Sequence, residues 1–378
     1  MINRELLRSA WVEIDLDAIR HNIKEIRQTI GPLVEIMAAV KAEAYGHGAV
    51  EVAKTALNAG ATWLGVAIPE EGILLREAGL NSPILIFGPL QPEQVLSVIK
   101  YDLTATICNY DSALELSKEA VKNNQTAGVH LKIDTGMGRI GIRPEEAGSF
   151  LKRLRELPGI KVSGIFSHLA TADAADKSYA MQQVSAFTNV VNNLKGTGLL
   201  PEKVHLANSA GIIDLPSSYF NMVRPGIMLY GLYPSKEVSH DKIKLKPALS
   251  LKAKVSFSKK TPPGTGLSYE QKYHTNRESI IATLPIGYGD GWSRRLSHKA
   301  QVLINGRKYP IVGTICMDQC MVDVGDEEIN PGQEAVLIGK DGEMEITADM
   351  VAEQLGTINY EVTCMLNNRL PRVYVNRG

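Results

Sequence analysis

The chain has 378 residues, which is too long for one ordinary hydrophobic core, so two domains are expected. Its 41 Lys and Arg residues balance 41 Asp and Glu residues, which gives no electrostatic reason to expect nucleic acid or a membrane surface as a partner. The N-terminal segment lacks the apolar region of a signal peptide, no later run is long enough to span a bilayer, and the four cysteines lack the spacing of a zinc site. We therefore expect a cytoplasmic protein without a metal site.

The first predicted element is a strand near the N-terminus. Apolar and polar residues alternate from Trp11 to Leu16, as in a half-buried strand. Because this strand precedes the first helix of the following domain, we expect residues 1–16 to pack with the second domain instead.

Strand-like and helix-like segments then alternate along residues 17–233. Alternation of this kind predicts parallel strands with right-handed crossovers, and eight such units predict an α/β fold with an N-terminal (β/α)8 TIM-type barrel. The seventh helical segment, 210–215, is short and is followed by Pro216, so a doubly wound open sheet is the alternative. The apolar runs end near Lys41, Ala67, Gly88, Ile107, Asp134, His168, Ser209 and Tyr230, and the longer helices are predicted at 17–30, 50–59, 70–78, 92–100, 111–122, 144–157 and 177–194.

Helical periodicity disappears after Tyr230. Gly- and Pro-rich turns separate strand-like runs, and one short helix is expected at 347–355. The sequence therefore predicts a C-terminal mostly β domain at residues 234–378. Its strands are expected at 249–256, 279–284, 299–304, 319–324 and 334–338.

Polar residues follow several of the predicted barrel strands. Lys41 follows the first strand, Lys132 and Asp134 the fifth, His168 the sixth and Arg224 the eighth. The carboxyl ends of barrel strands meet at one mouth, where barrel enzymes have their active sites. A strand-end lysine alone would more simply extend to solvent, but apolar surroundings favour the neutral amine that attacks carbonyls. The convergence of these residues predicts a catalytic site.

The segment after the eighth strand predicts an anion site. Gly226 lets backbone N–H groups approach a phosphate, and Ser209 could add a hydroxyl donor. An amine at strand one opposite this site fits a cofactor that carries both an aldehyde and a phosphate, which favours pyridoxal 5′-phosphate. A sugar-phosphate aldolase also combines lysine with phosphate, so this step leaves both possibilities open.

Nine motifs resemble those of the bacterial alanine racemase family and occur in the same order over essentially the whole chain. The resemblance implies a barrel plus a β domain, pyridoxal 5′-phosphate attached to Lys41, and a homodimer whose active sites combine residues of both subunits. The matching segments are AVKAEAYGHG, KIDTGMGRIG, SHLATAD, HLANSAG, VRPGIMLYG, GTGLSYE, GYGDGW, ICMDQ and INYEV.

The resemblance also implies residue roles. Racemisation removes a proton from one face of Cα and delivers one to the other, which calls for two bases. Lys41 would serve one face, and Tyr269 of the partner subunit would serve the other. Arg139 would bind the substrate carboxylate with help from the backbone at Met317. The implied cofactor-binding residues are Lys41, Tyr45, His168, Ser209, Arg224, Gly226, Ile227 and Tyr360.

Arg224 matches the residue that faces the pyridine nitrogen of the cofactor. Arginine is always charged and only donates hydrogen bonds, so it would leave that nitrogen unprotonated and weaken the ring as an electron sink. His205 would orient Arg224. Lys132 matches a lysine that is carbamylated in several relatives; an ordinary lysine paired with Asp134 is the equal alternative.

Three other functions remain to be distinguished. A pyridoxal-phosphate decarboxylase of the same plan would pair the ring nitrogen with a carboxylate, against which Arg224 argues. A non-catalytic pyridoxal-phosphate carrier would lack Tyr269 and the β domain. A serine or broad-specificity racemase is the serious competitor, because motifs do not reveal the volume of the substrate pocket. Thr314 also stands where some members have arginine, toward the substrate entrance. The family role is the supply of D-alanine for peptidoglycan.

Overall fold

The computed structural model of the chain describes residues 7–377. The chain divides into two compact units. The barrel unit comprises Ala18–Ala44 and Gly48–Pro247, and the β unit comprises the described residues up to Asp17, the short segment Tyr45–His47 and the residues from Ala248 onward. Residues 1–6 of the predicted N-terminal segment lie outside the described residues.

The barrel unit contains a closed barrel of parallel strands. The first barrel strand pairs with the last in parallel, Glu35 with Met222 and Ile36 with Val223. This pairing closes the sheet, so the predicted (β/α)8 barrel is confirmed and the open-sheet alternative is excluded. After the N-terminal strand β1 (Ala10–Asp15) of the β unit, the barrel strands are β2 (Glu35–Ala39), β3 (Trp63–Val66), β4 (Ile84–Pro89), β5 (Thr104–Ile107), β6 (Ala127–Lys132), β7 (Ile160–Phe166), β8 (Lys203–His205) and β9 (Met222–Val223).

Helices connect the barrel strands and agree closely with the amphipathic segments of the sequence. The short seventh connection is a helix of six residues that ends before Pro216. The helices are α1 (Leu16–Ile30), which precedes the barrel, and α2 (Ala49–Asn58), α3 (Pro69–Glu77), α4 (Val95–Lys100), α5 (Tyr110–Lys122), α6 (Ala147–Arg155), α7 (Ser178–Gly196) and α8 (Ser209–Asp214) between the strands.

Large side chains fill the interior of the barrel. One cluster of buried residues combines contributions from five strands. Two glycines make room for their neighbours: a Cβ at Gly65 would lie 2.2 Å from the ring of Phe87, and one at Gly164 would lie 2.6 Å from the ring of His130. The barrel is therefore a packed core, and ligands can enter only at its ends. The cluster comprises Met37, Trp63, Leu85, Phe166 and Met222.

Residues 234–247, which the sequence analysis places with the second domain, group with the barrel unit. The side chain of Asn22 on α1 donates to the carbonyl of Lys246 (2.9 Å) and accepts from its N–H (2.8 Å). The Tyr233 hydroxyl donates to the carbonyl of Ile243 at 2.7 Å. These bonds tie an irregular segment to the outside of the barrel, and the segment has no periodicity that would reveal them.

The β unit is built on one large sheet. Strand β1 lies between β10 and β20, antiparallel to the former and parallel to the latter. The strands are β10 (Leu249–Lys254), β11 (Phe257–Thr261), β12 (Gly266–Leu267), β13 (Tyr273–His274), β14 (Ser279–Leu284), β15 (Gln301–Ile304), β16 (Arg307–Val312), β17 (Cys320–Gly325), β18 (Glu334–Asp341), β19 (Met344–Ile346) and β20 (Arg372–Val375), with helices α9 (Ala348–Leu355) and α10 (Asn359–Met365).

Strands β12 and β13 form a separate two-stranded hairpin, and the remaining strands of the unit belong to the sheet. Leu267 and Tyr273 of this hairpin pack against Ile281, Val312 and Met321 of the sheet. Among residues 7–377, no helix has both the length and the apolar character needed to cross a membrane.

Candidate active site

Lys41 follows the first barrel strand at the start of an uncommon turn. The four residues after it, Ala42 to Tyr45, have φ between 52° and 54°, so each is left-handed although none is glycine. A left-handed conformation costs a residue with a side chain about 1–2 kcal/mol. Such strain persists only where the surroundings impose it, and it concentrates at functional sites. The turn fixes the direction in which the chain leaves Lys41.

Glu71 on α3 holds the beginning of this turn. One oxygen of its carboxylate accepts from the N–H of Ala42 and the other from the N–H of Ala67, both at 2.6 Å. Two further bonds close the turn, from Ala44 N–H to Val40 O at 2.9 Å and from Gly48 N–H to Glu43 O at 2.8 Å. A carboxylate forms stronger bonds to N–H groups than a neutral acceptor does. Glu71 therefore joins the loops after β2 and β3.

Arg224 follows β9 and is buried to 5% exposure. Its guanidinium donates to the carbonyls of Ser167 (2.7 Å) and Leu206 (2.9 Å) and to Nδ1 of His205 (2.8 Å). Burial lowers the pKa of Arg224 to about 9, so the side chain remains a cation at neutral pH.

A chain of two neutral histidines leads from Arg224 into the barrel. Because arginine only donates, Nδ1 of His205 accepts, and its Nε2–H donates to Nδ1 of His130 at 2.9 Å. Burial, with the charges of Arg224 and Lys203, lowers the pKa of His130 to about 3. Burial and Arg224 likewise lower the pKa of His205. Both rings are therefore neutral at physiological pH, and the hydrogen-bond direction is fixed.

His168 is the position where the predicted charged residues converge. Burial lowers its pKa far below the usual value, and the charges of Arg224, Lys132, Arg139 and Lys41 lower it further, in that order. All five residues belong to the barrel unit. Four basic side chains around one neutral ring form a site that suits an anionic ligand.

Lys132, like Arg224, is a buried basic side chain of this group, at 3% exposure. Burial lowers its pKa well below the usual value, and Arg224 and Arg139 reinforce the effect. Its Nζ lies 4.6 Å from the centre of the Phe166 ring.

The Asp134 carboxylate accepts from the N–H groups of Gly136 and Gly138, each at 3.0 Å. The ion pairs among the described residues include none between Lys132 and Asp134. Arg139 itself is exposed.

The predicted anion site is assembled from the loops after β8 and β9. Ser209 is buried, and its hydroxyl oxygen accepts from the N–H of Gly226 at 2.9 Å and from that of Met228 at 3.4 Å. Both bonds use the oxygen as acceptor, so the hydroxyl hydrogen can be donated to a ligand. Ile227 is buried at the start of the turn Ile227–Tyr230. The donors are those that phosphate prefers.

Tyr269 lies in the β unit, in the loop of the β12–β13 hairpin. Its side chain is 67% exposed and borders a cavity of about 690 Å³. Met317 borders the same cavity, and its carbonyl accepts from the N–H of Gly289 at 2.8 Å. The structure thus brings two of the predicted residues together in this unit. The cavity is lined by Ser268, Tyr269, Cys316, Met317, Asp318 and Gln319.

Tyr45 and Tyr360 are also neighbours within the β unit. Their ring centres are 6.0 Å apart at an angle of 50°. Gly46, next to Tyr45, approaches the chain so closely that a Cβ there would lie 2.1 Å from the carbonyl oxygen of Thr363. The segment Tyr45–His47 therefore belongs to the β unit although the residues on both sides of it belong to the barrel.

The sequence analysis did not identify the role of Glu71 in holding the turn after Lys41 or the hydrogen bond of His130 to His205. Glu71 occupies the third position of a helix, where a glutamate ordinarily caps the helix end, and nothing local reveals its bond to Ala42. The signal for His130 was its place two residues before Lys132, on the same face of β6.

Comparisons with known proteins agree with this geometry. Profiles of the alanine racemase N-terminal and C-terminal domains match residues 14–234 and 248–374. The alanine racemase of Halothermothrix orenii is 48% identical over 378 residues, with 100% of this chain and 99% of the relative covered. The solved alanine racemase of Clostridium difficile 630 gives a TM-score of 0.94 at 41% identity, covering 98% of this chain and 97% of that one. A histidine racemase of Leuconostoc mesenteroides subsp. sake gives 0.92 at 30% identity, with 98% and 99% covered.

Replacement of Glu71 by glutamine should loosen the turn after Lys41. An amide keeps the size of the side chain but has one accepting oxygen, so one of the two short bonds is lost. We expect a loss of about 1–3 kcal/mol in the free energy of unfolding and faster amide hydrogen exchange in the peptide that covers residues 40–48. Glu70→Gln changes an exposed neighbour in the same way and is the control. Equal exchange rates in the two variants would show that Glu71 does not hold the turn.

Proposed function

This chain belongs to the alanine racemase family and is an isomerase that racemises alanine; we propose that it does so with Lys41 and Tyr269 as bases on opposite faces of the substrate Cα. The observation that carries the proposal is the set of basic side chains around His168, which includes Lys41 and Arg139. These groups suit a substrate carboxylate and an anionic cofactor at the barrel mouth.

We propose pyridoxal 5′-phosphate as the cofactor, and the donor groups present fit it. The hydroxyl of Ser209 and the backbone at Gly226 and Ile227 would hold the phosphate, and the Gly226 N–H, which donates to the Ser209 oxygen in this structure, would then be shared with it. When bound, the cofactor would supply an electron-withdrawing ring that acidifies the Cα–H bond of the attached amino acid. Lys41 would provide the attachment. The remaining proposed contacts come from Tyr45, His168, Arg224 and Tyr360.

Arg224 would set the electronic character of that ring. A buried guanidinium backed by a neutral histidine has N–H groups to donate and nothing to accept, so it would keep the ring nitrogen unprotonated. Weak electron withdrawal favours simple proton transfer over decarboxylation or transamination. The carboxylate expected of a decarboxylase is replaced here by a cation.

Lys41 and Tyr269 would divide the proton transfers between them. Tyr269 would remove the α-proton from L-alanine and Lys41 would remove it from D-alanine, and each would return a proton in the opposite direction. Arg139, supported by the backbone at Met317, would hold the substrate carboxylate so that Cα stays between the two bases.

We propose that the enzyme is a homodimer with active sites shared between subunits. Tyr269 is 67% exposed and Met317 is 52% exposed, and Tyr288 and Ile358 of the same unit are exposed as well. Exposed apolar and aromatic side chains in the unit that carries Tyr269 support coverage by a second chain.

Mixing two inactive variants tests the bases and the shared site together. Tyr269→Phe should reduce racemisation by about 10²–10⁴-fold because the oxygen that accepts and returns the proton is lost, and Lys41→Ala should also lose the yellow colour of the attached cofactor. In hybrid dimers of the two variants one site regains both bases. Random pairing should therefore restore about a quarter of the wild-type activity.

A mixture that stays inactive, although hybrid dimers are detected by native mass spectrometry, would contradict shared sites. Normal racemisation by either variant alone would remove that residue from the mechanism.

We propose that Lys132 is carbamylated. The amine must be neutral to react with carbon dioxide, and its burial between Arg224 and Arg139 favours the neutral form. The product is an anion, which would offset two neighbouring cations and brace Arg139. The alternative has less support, because no ion pair joins Lys132 to Asp134 among residues 7–377 and Oδ1 of Asp134 accepts from two backbone N–H groups.

Native intact-mass measurement of the holoenzyme should show one carbon dioxide adduct per chain. Lys132→Ala should lack the adduct and bind substrate more weakly, with partial rescue by small carboxylates. A wild-type mass without the adduct, in buffer that contains bicarbonate, would contradict carbamylation.

The second candidate function differs from the first only in the range of amino acids accepted as substrates. The likeness to a histidine racemase shows that this fold accommodates other side chains, so a serine or broader amino-acid racemase is the alternative. We expect kcat/KM for alanine to exceed that for serine by about tenfold or more. Assays on both enantiomers of alanine, serine, histidine, lysine and arginine decide this, and a higher value for any other amino acid would overturn alanine as the main substrate.

We further propose a cytoplasmic role in supplying D-alanine for peptidoglycan. Racemisation of L-alanine produces the D-alanine that this role requires, and the four cysteines, all present as thiols, are in keeping with a reducing compartment.

A further inference from the structure

The backbone around Tyr269 is strained on both sides. Ser268 has φ +65°, Glu270 +62° and Gln271 +47°, so three residues with side chains are left-handed within a single loop. Each such residue costs on the order of 1–3 kcal/mol and relaxes unless its surroundings hold it. Tyr269 itself is too exposed for packing to supply that support.

Two hydrogen bonds connect this loop to the segment between β16 and β17. The Thr314 hydroxyl donates to the carbonyl of Tyr269 at 3.3 Å, and the Ser268 hydroxyl donates to the carbonyl of Thr314 at 2.5 Å. Each side chain thus bonds to the backbone of the other segment. The sulfur of Cys316 lies 3.5 Å from the Ser268 hydroxyl, on the same side.

The segment that carries Thr314 is itself firmly placed. Thr314 is 4% exposed, and the N–H of Ile315 donates to the Ser297 hydroxyl at 2.9 Å. At Gly313, where φ is +69°, a Cβ would lie 2.9 Å from the Cβ of Ser268. The two segments are therefore in direct contact, and the support comes from the buried side.

We propose that Thr314, together with Ser268, is a positioning residue for the phenol of Tyr269. This inference rests on the proposed role of Tyr269 as the base for L-alanine. The Thr314 hydroxyl fixes the carbonyl of Tyr269 and with it the direction of the Cα–Cβ bond. The phenol oxygen lies at the far end of a long rigid side chain, so a small backbone rotation moves it by a large amount. A misplacement of about 1 Å in a reacting group can reduce the rate about a hundredfold.

Thr314→Val removes the hydroxyl and keeps the shape of the side chain, whereas Thr314→Ser keeps the hydroxyl. We expect Thr314→Val to lower kcat about tenfold to a hundredfold with little change in KM, and Thr314→Ser to retain most of the activity. The α-deuterium isotope effect should increase when L-alanine is the substrate and should stay unchanged or fall when D-alanine is. The slowed transfer at Tyr269 is the abstraction step for L-alanine, whereas for D-alanine Lys41 abstracts and Tyr269 only returns a proton. Amide hydrogen exchange should quicken in the peptide covering residues 266–273.

Thr261→Val is the matched control. Thr261 is also a buried threonine of this unit, but its hydroxyl donates to the carbonyl of Lys259 at 3.4 Å, within β11, and not to Tyr269. The control can lower stability, but it should leave both isotope effects at wild-type values. If Thr314→Val does not fold, Ser268→Ala removes the partner bond and should give the same asymmetric isotope effect.

Three results would overturn the proposal. Thr314→Val could keep kcat within twofold of wild type, Thr314→Ser could lower kcat as much as Thr314→Val does, or the isotope effects of the two enantiomers could change equally. Tyr269→Phe in the same assays distinguishes a failure of the proposed base, Tyr269, from a failure of the positioning role of Thr314. If that variant also shows no change with L-alanine, the role of Tyr269 fails. If it shows the expected change and Thr314→Val does not, only the positioning role fails.

Discussion

The barrel site depends on the hydrogen bonds that the buried guanidinium of Arg224 donates. A buried cation is costly unless its donors are satisfied, and three of them go to Ser167, Leu206 and His205. Because the guanidinium only donates, His205 must accept, and His130 must in turn accept from His205. The site therefore has a fixed pattern of donors and neutral rings. A ligand atom that meets Arg224 must be an acceptor, which sets the chemistry available to any bound ring.

Both proposed bases are next to left-handed residues that carry side chains. Lys41 precedes four such residues, and Tyr269 is flanked by Ser268 and Glu270. In each case a polar side chain distant in sequence supports the strained segment, Glu71 for the first and Thr314 for the second. In each unit, a hydrogen bond from a distant side chain thus holds the strained backbone next to a proposed base. A group that transfers a proton to carbon needs a defined position more than it needs an unstrained backbone.

The fold and much of the site could be predicted because their signals are local. Apolar runs and helical periods give the barrel strands, and residues at strand ends, such as Lys41, His168 and Arg224, follow from the barrel geometry. The supporting residues could not be predicted, because their contacts join segments 29 residues apart for Glu71 and 45 apart for Thr314. The domain boundary was missed for the same reason. The bonds of residues 234–247 to the barrel leave no periodic pattern.

The central claim is that an amine and a phenol act on opposite faces of one carbon. The most direct measurement is a crystal structure of the holoenzyme with pyridoxal 5′-phosphate and an unreactive alanine analogue. The account predicts the Nζ of Lys41 and the phenol oxygen of Tyr269 from a second copy on opposite sides of the analogue's Cα, each within about 3.5 Å of it. A phenol on the same side as the amine, or remote from Cα in every assembly of the crystal, would contradict the account.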